Sequence, residues 1–382
     1  MIAPWRGRQL PGAFAAPFAA DNGDRNATEN GARVGDAQDD TGASGNVALG
    51  YQLLEIATGS WMTQAVRVAA ELRIADLLAD RPRTSDDLAQ AADCHAPSLH
   101  RLLRALTTIG LCRQRDDGAF EMTPLGSPLR TGLPGSIRSY VLWWGVHLRT
   151  VWEHLLYSVK TGESARKQLL GTEGFEHLQD PASAALFNQA LAERTALVCE
   201  SVVRAYDFSG LRRIMDVGGG HGELLVAILK ANPGAAGILF DLPHAVEAGR
   251  RHVEVAGLAA RCEFVAGDFF ESVPRGADAY VLKSVIHDWS DDRSRSILEN
   301  CRRAMGHDGR VVLVEGVLPD RLEATAAHRE AARNYLNMLV AHAARERTEA
   351  ELRDLLASAG LRLTCAVPAG IAFSVLEALP VR

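Results

Sequence analysis

The chain has 382 residues, a hydrophobic content of 47%, a charged content of 23% and a formal net charge of −6. This composition is typical of a soluble globular protein long enough for two domains. The acidic balance argues against recruitment of nucleic acid or an anionic membrane, and no apolar run is long enough to span a bilayer. Six cysteines without a C-x-x-C pair favour reduced thiols and a cytoplasmic location.

Residues 1–45 are rich in Gly, Ala, Asp and Asn and show no sustained periodicity. We interpret them as a disordered extension. A targeting peptide is the alternative, because Trp5, Arg6 and Arg8 precede an apolar patch. Pro11 and Pro17 interrupt that patch, which weakens the alternative.

Residues 46–205 are predicted to form a helical, winged-helix-like dimerisation domain. Apolar residues at helical spacing predict helices over 49–57 and 65–74. Thr84 is typical of the N-cap of a short helix, and a further helix is predicted from Pro97 until Gly110 ends it. Residues 112–123, with a turn of sequence Asp-Asp-Gly, predict a β-hairpin.

The winged-helix layout raises the possibility of DNA binding. The second helix of the pair carries only His100, Arg101 and Arg104 as candidate phosphate contacts, which is little for a DNA-binding surface. A module for packing or dimerisation fits better. The apolar helix faces of residues 47–110 exceed what one small domain needs to bury, which predicts a homodimer.

Two more helices are predicted over residues 136–160 and 181–205. In the first, Trp143 and His147 are one turn apart and share a face with other aromatic residues. Such a stripe packs into a core in many proteins, but it also suits a pocket for a flat aromatic ligand. Both interpretations stay open at this point.

A glycine-rich turn organises the second half of the chain. The apolar run 214–217 is followed by three consecutive glycines beginning at Gly218, then by Gly222 and an apolar, helix-favouring segment. Glycine allows positive φ, and the helix N-terminus behind such a turn offers unpaired N–H groups. The spacing Gly218-x-Gly220-x-Gly222 differs from the dinucleotide fingerprint and from the phosphate-binding P-loop. A nucleoside-type ligand is favoured over a purely structural turn.

Strands and helices alternate after residue 213, which predicts a mostly parallel sheet with helices on both faces. Ligands of such sheets bind at the carboxyl ends of the strands. Polar residues recur at those predicted ends: Asp241, Asp268, Lys283, His287 and Glu315. Asp241, about twenty residues past the glycines, could accept both ribose hydroxyls. Asp268, with Phe269 beside it, could accept from an adenine amino group.

Six motifs carry a family resemblance: DVGGGHG (216–222), DLP (241–243), GDFF (267–270), LKSVIHDWSD (282–291), VVLVEGVLPD (311–320) and RERTEAEL (345–352). Together they resemble the S-adenosylmethionine-dependent O-methyltransferases of the plant caffeate type and their bacterial antibiotic-pathway relatives. The resemblance covers roughly residues 47–382. It implies an intertwined homodimer and a Rossmann-like catalytic domain, which we place at residues 206–382; no metal is expected.

The resemblance also implies residue roles. The family's cofactor site falls on Gly218, Gly220, Asp241, Asp268, Phe269 and Lys283. Its catalytic histidine falls on His287, with two flanking acids at Glu315 and Glu346. Its pocket residues fall on Asn337, Met338 and Val340, and the aromatic pair Trp143 and His147 is a further pocket candidate. Ser284 departs from the family, because a bulky aromatic often fills that position.

The predicted reaction is methyl transfer to a hydroxyl of a small aromatic acceptor, a polycyclic or phenazine-like phenol or a simple catechol. A phenol with a pKa near ~10 is mostly protonated at neutral pH, so a base assists, and histidine suits that role. Glu315 is the first candidate for orienting His287, and Glu346 is the second. The alternatives are a nicotinamide-dependent oxidoreductase, a winged-helix regulator and a family member with other S-adenosylmethionine chemistry. His287 as a structural helix cap is the non-catalytic alternative.

Overall fold

The computed structural model describes residues 40–171, 180–370 and 373–381. The chain divides into two compact units, residues 1–57 and 58–382, and the first unit contributes the beginning of helix α1 (Asp40–Glu71). Most of the predicted disordered extension, residues 1–39, lies outside the described residues. Residues 40–45 already belong to α1, so the extension was predicted too long. The domain boundary at residue 206 stays a prediction.

The part that follows has the predicted winged-helix-like layout. Helices α2 (Ile74–Leu77), α3 (Ser85–Ala91) and α4 (Ala96–Thr108) precede the hairpin β1 (Cys112–Gln114) and β2 (Phe120–Met122). The cap is confirmed, because the Thr84 hydroxyl accepts from the Asp87 N–H at 3.2 Å. The prediction of two helices over 49–57 and 65–74 was wrong. Helix α1 runs through both, since the intervening residues include no proline and one glycine costs a helix only ~1 kcal/mol.

The predicted helix over residues 136–160 is broken into pieces. They are α5 (Arg138–Trp143), a π-helical turn (Trp144–Leu148), α6 (Arg149–Trp152) and α7 (Leu155–Thr161). The π turn coincides with a close approach, because a Cβ at Gly145 would lie 2.5 Å from the Arg67 side chain. Two helices follow, α8 (Ala165–Leu170) and the predicted long helix α9 (Pro181–Ala205).

The predicted parallel sheet is confirmed. Seven strands form the sheet, and the five strands β3 to β7 are parallel and lie in the order β7-β6-β3-β4-β5, followed beyond β7 by two later strands of the chain. These are β3 (Arg213–Val217), β4 (Ala236–Asp241), β5 (Cys262–Ala266), β6 (Ala279–Lys283) and β7 (Arg310–Glu315). Along the chain, β4 and β5 are added on one side of β3, and β6 and β7 are then added on the other side. The strand order therefore reverses between β3 and β6. That switch point is where such sheets bind ligands.

Helices cover both faces of this sheet. Helices α10 (Glu223–Ala231) and α11 (Pro243–Val255) lie on one face, and α12 (Asp291–Ala304) and α14 (Glu349–Ser358) lie on the other. Helix α13 (Ala326–His342) packs instead against α6, α7 and α8. A two-residue pair, β8 (Val317–Leu318) with β9 (Arg347–Thr348), joins the end of β7 to α14. The antiparallel strands β10 (Leu361–Pro368) and β11 (Ser374–Pro380) complete one edge.

Strand β3 shows how the sequence builds two cores. Met215 and Val217 point to one face, where they pack with Tyr280 and Leu282. Ile214 points to the opposite face, where it contributes to a second fully buried cluster. This two-sided burial is what a parallel sheet covered by helices requires. In the described part of the chain, no helix combines the length and the apolar character of a membrane span.

Candidate active site

The glycine turn connects β3 to α10 at the switch point. Gly218, Gly220 and Gly222 have φ values of +71°, +56° and +76°, a region that side chains with a Cβ rarely adopt. A Cβ at Gly218 would lie 3.0 Å from Val285 and 3.5 Å from Phe269, whereas one at Gly220 would meet nothing within 4 Å. The turn therefore presents bare backbone on an open side, which is the surface a nucleoside needs.

Asp241 lies at the end of β4 and faces this turn. Its carboxylate accepts from the N–H of Gly220 at 2.8 Å and from the N–H of Leu242 at 2.6 Å. Burial raises the pKa of Asp241 above its ordinary value, although the two backbone hydrogen bonds oppose that shift. The acid thus fixes the shape of the glycine turn, and each oxygen keeps a further lone pair for a ligand.

Asp216 was missed by the sequence analysis. It is buried inside β3, and its carboxylate would lie 2.6 Å from a Cβ at Gly219, so it packs under the turn. Burial, and then the nearby Asp241, raise the pKa of Asp216 to about 7. An aspartate inside an otherwise apolar strand was the available signal.

Asp268 and Phe269 follow β5 and lie on the same rim. The Asp268 carboxylate accepts from the N–H of Phe270 at 2.8 Å, and Asn300 donates to the carbonyls of Phe269 and Phe270 at 2.7 and 3.0 Å. The Phe269 ring is, with Val285, one of the two side chains that approach Gly218. The loop is therefore held rigidly with an aromatic ring against the glycine turn.

Lys283 ends β6 and is tied to helix α9. Its ammonium donates to the hydroxyl of Thr195 at 3.0 Å and lies 5.4 Å from the centre of the Phe373 ring. Burial, followed by the charge of Arg194, lowers the pKa of Lys283 to about 8. Thr195 and Phe373 were missed, because nothing local in α9 or β11 indicates proximity to the end of β6.

His287 lies in a short 3-10 turn (Ile286–Asp288) beyond β6. Its Nδ1 is 2.9 Å from the Glu346 carboxylate and 3.7 Å from that of Glu315. Glu315 instead accepts from the backbone N–H groups of Val285 and Ile286, at 3.0 and 2.8 Å. All three side chains are buried. The ranking of the two acids is thereby corrected: Glu346 contacts the imidazole, and Glu315 holds the turn that carries it.

The charges around His287 determine its protonation. Burial alone would lower the pKa of His287, but the facing carboxylates of Glu346, Glu315 and Asp288 outweigh burial and raise it to about 10. Burial raises the pKa of Glu315 to about 7, against the opposing charge of His287. The donor atoms of His287, Glu315 and Glu346 lie within 4.8 Å of one another, a grouping that could also hold a cation.

Arg347 fixes the other side of the His287 turn. Its guanidinium donates to the carbonyls of Ile286 and Trp289 at 3.0 and 2.9 Å, and it pairs with Asp291 at 2.8 Å. Because Arg347 follows Glu346 directly, the same short segment orients the imidazole and anchors its backbone. The motif RERTEAEL contains this segment, but nothing local in the motif indicates the anchoring role.

The five predicted pocket residues fall in two places, with Trp143 and His147 in one and Asn337, Met338 and the fully buried Val340 on α13 in the other. Trp143 is only 4% exposed and belongs to a core cluster, so its prediction as a pocket residue is corrected to core. It stacks on His147 at 4.2 Å between ring centres. On α13, Asn337 accepts from the indole N–H of Trp152 at 3.1 Å, and Met338 is buried beside it. A separate cleft of about 430 Å³, lined in part by Trp289, Tyr335 and Arg345, does not include His287.

Comparison with known families matches two regions of the chain. Residues 54–132 match an O-methyltransferase dimerisation domain, and residues 152–362 match an O-methyltransferase domain. A phenazine O-methyltransferase of Lysobacter antibioticus is 41% identical over 339 residues, covering 88% of this chain and 98% of that protein. The O-demethylpuromycin-O-methyltransferase of Streptomyces alboniger is 37% identical over 335 residues, covering 86% and 89%.

A solved structure extends the comparison to bound ligands. The O-methyltransferase from neocarzinostatin biosynthesis, in complex with S-adenosylmethionine and 2-hydroxy-5-methyl naphthoic acid, is 34% identical to this chain. The match has a TM-score of 0.70 and covers 84% of this chain and 96% of that one. Domain order, sheet topology and sequence therefore agree: the chain belongs to the S-adenosylmethionine-dependent O-methyltransferases that carry an N-terminal dimerisation domain.

Proposed function

We propose that this enzyme methylates a hydroxyl group of an aromatic, polycyclic secondary-metabolite acceptor, with His287 as the general base. The observation that carries the proposal is the buried contact of 2.9 Å between His287 Nδ1 and Glu346, just past the strand end that also carries Lys283. The names of the relatives support the acceptor class, since they include a phenazine and a naphthoic acid.

The residues at the switch point fit the cofactor. The open backbone at Gly220, the carboxylate of Asp241 and the ring of Phe269 beside Gly218 form a cradle for a nucleoside, with Asp268 and Lys283 on the same rim. S-Adenosylmethionine supplies a methyl group made electrophilic by the attached sulfonium. The task left to the protein is to align an acceptor oxygen and remove its proton.

His287 is suited to that proton transfer. Its Nδ1–H donates to Glu346, which fixes the tautomer and leaves Nε2 to accept the proton of the acceptor hydroxyl. The pKa of about 10 for His287 is close to the ~10 of an ordinary phenol, so the proton is shared nearly evenly between base and acceptor. The imidazolium formed is then stabilised by the same carboxylates that raise its pKa.

The relative roles of the two acids can be separated by amide variants. Glu346→Gln is expected to lower turnover about 10-fold at high pH, where His287 is neutral in both enzymes, less than loss of the base itself. It should also move the rising limb of the pH–rate profile to lower pH, because Glu346 is the strongest factor raising the pKa of His287. Glu315→Gln keeps an oxygen for the two backbone N–H groups and should cost less. A profile that Glu346→Gln does not shift would remove Glu346 from this role.

We also propose that the enzyme is a homodimer assembled largely through its N-terminal helices, with no nucleic-acid partner. Large apolar side chains on α1 are exposed, among them Leu53 at 67%, Ile56 at 77% and Trp61 at 69%. An exposed apolar surface of this kind is typical of an interface. Deletion of residues 1–39 should leave a dimer by light scattering at micromolar concentration, and Leu53→Glu with Ile56→Glu should give a monomer. A monomeric wild type would contradict the proposal.

Transfer of labelled methyl from S-adenosylmethionine to a panel of polycyclic phenols and catechols tests the function directly. Product should form with at least one phenol, and a chelator should leave the rate unchanged. Loss of activity with the chelator, restored by a divalent cation, would instead make the His287, Glu315 and Glu346 group a metal site. Binding of S-adenosylmethionine without transfer to any hydroxyl would favour other chemistry.

A further inference from the structure

Arg166, on helix α8, is a buried cation that makes no direct ion pair with a described carboxylate, although the charge of Asp288 acts on it from a greater distance. Only 4% of the residue is exposed. Among the described residues its polar contact is with His342, where a guanidinium N–H lies 3.4 Å from Nε2, and no ion pair with a carboxylate is formed. Burial lowers the pKa of Arg166 to about 10. Burying a charge that is not paired is unfavourable, which indicates that a ligand supplies the missing anion.

Three contacts connect Arg166 to the reacting side of His287. His342 Nε2, which Arg166 approaches, lies 3.6 Å from the Asp288 carboxylate. The same Asp288 oxygen lies 3.6 Å from Nε2 of His287. Because Glu346 occupies Nδ1, Nε2 is the nitrogen available to an acceptor. Arg166 therefore lies on the Nε2 side of His287, which faces the acceptor. The carboxylates behind the imidazole lie on the Nδ1 side.

The backbone that carries Arg166 is firmly held. The hydroxyl of Ser164, which precedes α8, contacts the carbonyls of Val340 and Ala341 at 3.1 and 2.9 Å. Ala165 is fully buried in a cluster with Val151 and Val340 of α13. A guanidinium fixed in this way offers a rigid fork of N–H donors, the geometry that matches a carboxylate.

We propose that Arg166 binds a carboxylate group on the aromatic acceptor and so selects acidic acceptors over neutral ones. The inference rests on the proposed function, since it places an aromatic acceptor beside His287. The charge of Asp288 partly opposes the effect of burial on the pKa of Arg166, but its oxygen lies 3.6 Å from each of the two imidazoles and forms no ion pair with the guanidinium. The carboxylate of the acceptor would complete the charge balance on this side of the site.

A matched ligand pair tests the proposal: 2-hydroxy-1-naphthoate and 2-naphthol, which differ by the carboxylate. Binding is measured by calorimetry with S-adenosylhomocysteine present, so the result does not depend on turnover. The wild type should bind the carboxylate ligand more tightly. Arg166→Gln should weaken that binding by about 10- to 100-fold, the usual effect of losing a charge-assisted pair, and leave 2-naphthol within about twofold. Arg166→Lys keeps the charge but not the fork and should give an intermediate loss.

The control is Arg149→Gln, which removes an exposed arginine of α6 and should change neither affinity. Equal affinity of the wild type for both ligands would overturn the proposal, even if Arg166→Gln did not fold. Equal losses for both ligands in Arg166→Gln would also overturn it and make Arg166 a structural residue. If the wild type prefers the carboxylate ligand through Arg166 but methylates neither, the proposed function fails while the binding site stands.

Discussion

His287→Ala is expected to lower turnover by ~10²–10⁴-fold at pH 7, the usual contribution of a general base. The imidazole lies beyond β6 with its Nδ1 held by Glu346, so its removal takes away the proton acceptor and leaves the glycine turn intact. Affinity for S-adenosylmethionine should change little. Calorimetry and initial rates with one phenolic acceptor measure both quantities.

The loss of turnover in His287→Ala should become smaller as the pH rises toward the pKa of the acceptor. Only neutral His287 accepts a proton, and its pKa is raised to about 10, so wild-type turnover should rise with pH toward that value. The rate of His287→Ala should rise only as the acceptor ionises by itself, and the difference between the two enzymes should shrink near the pKa of the acceptor. His307→Ala, at an exposed histidine, is the matched control.

Near-normal turnover of His287→Ala at pH 7 would mean that alignment alone carries the reaction. The same result is expected for an acceptor that is already ionised, such as a low-pKa phenol or an N-hydroxyl. The pKa of the acceptor is therefore measured beside the variant, and only a result with a weakly acidic phenol removes His287 as the base.

Asp241→Ala is expected to weaken binding of S-adenosylmethionine by ~1.5–3 kcal/mol, as for the loss of charge-assisted hydrogen bonds. Two effects act together, because the carboxylate is proposed to accept from the ribose hydroxyls and also accepts from the Gly220 and Leu242 N–H groups. Asp241→Asn keeps one oxygen that can accept from the turn N–H groups. This variant therefore separates the effect on the turn from the effect on the ribose contact. If the turn matters most, the asparagine variant should retain most of the affinity.

The control for Asp241 is Asp308→Ala, which removes an exposed carboxylate in the turn between α12 and β7. Thermal unfolding of each ligand-free variant reports whether the turn itself is weakened. Unchanged affinity in Asp241→Ala, with a folded protein, would remove Asp241 from the cofactor site.

Local sequence was sufficient for much of the fold and for part of the site. The cap at Thr84, the hairpin over 112–123 and the strand–helix alternation each depend on neighbouring residues, whose preferences act over a few positions. Parallel strands end at one edge, so the rim that holds Asp241 and Lys283 followed from the alternation alone. The resemblance of the motifs added the assignment of His287.

Tertiary structure decided which groups touch. Glu346 is 59 residues from His287, and only the segment anchored by Arg347 brings it, rather than Glu315, to the imidazole. Trp143 turned out to be core because α9 covers it, a fact that a shared helix face cannot reveal. Arg166 looked like any surface arginine in the sequence, and it became a buried cation only because α8 packs against the end of α13. Contacts between distant segments depend on how whole elements pack, which is why the pattern along one segment could not predict them.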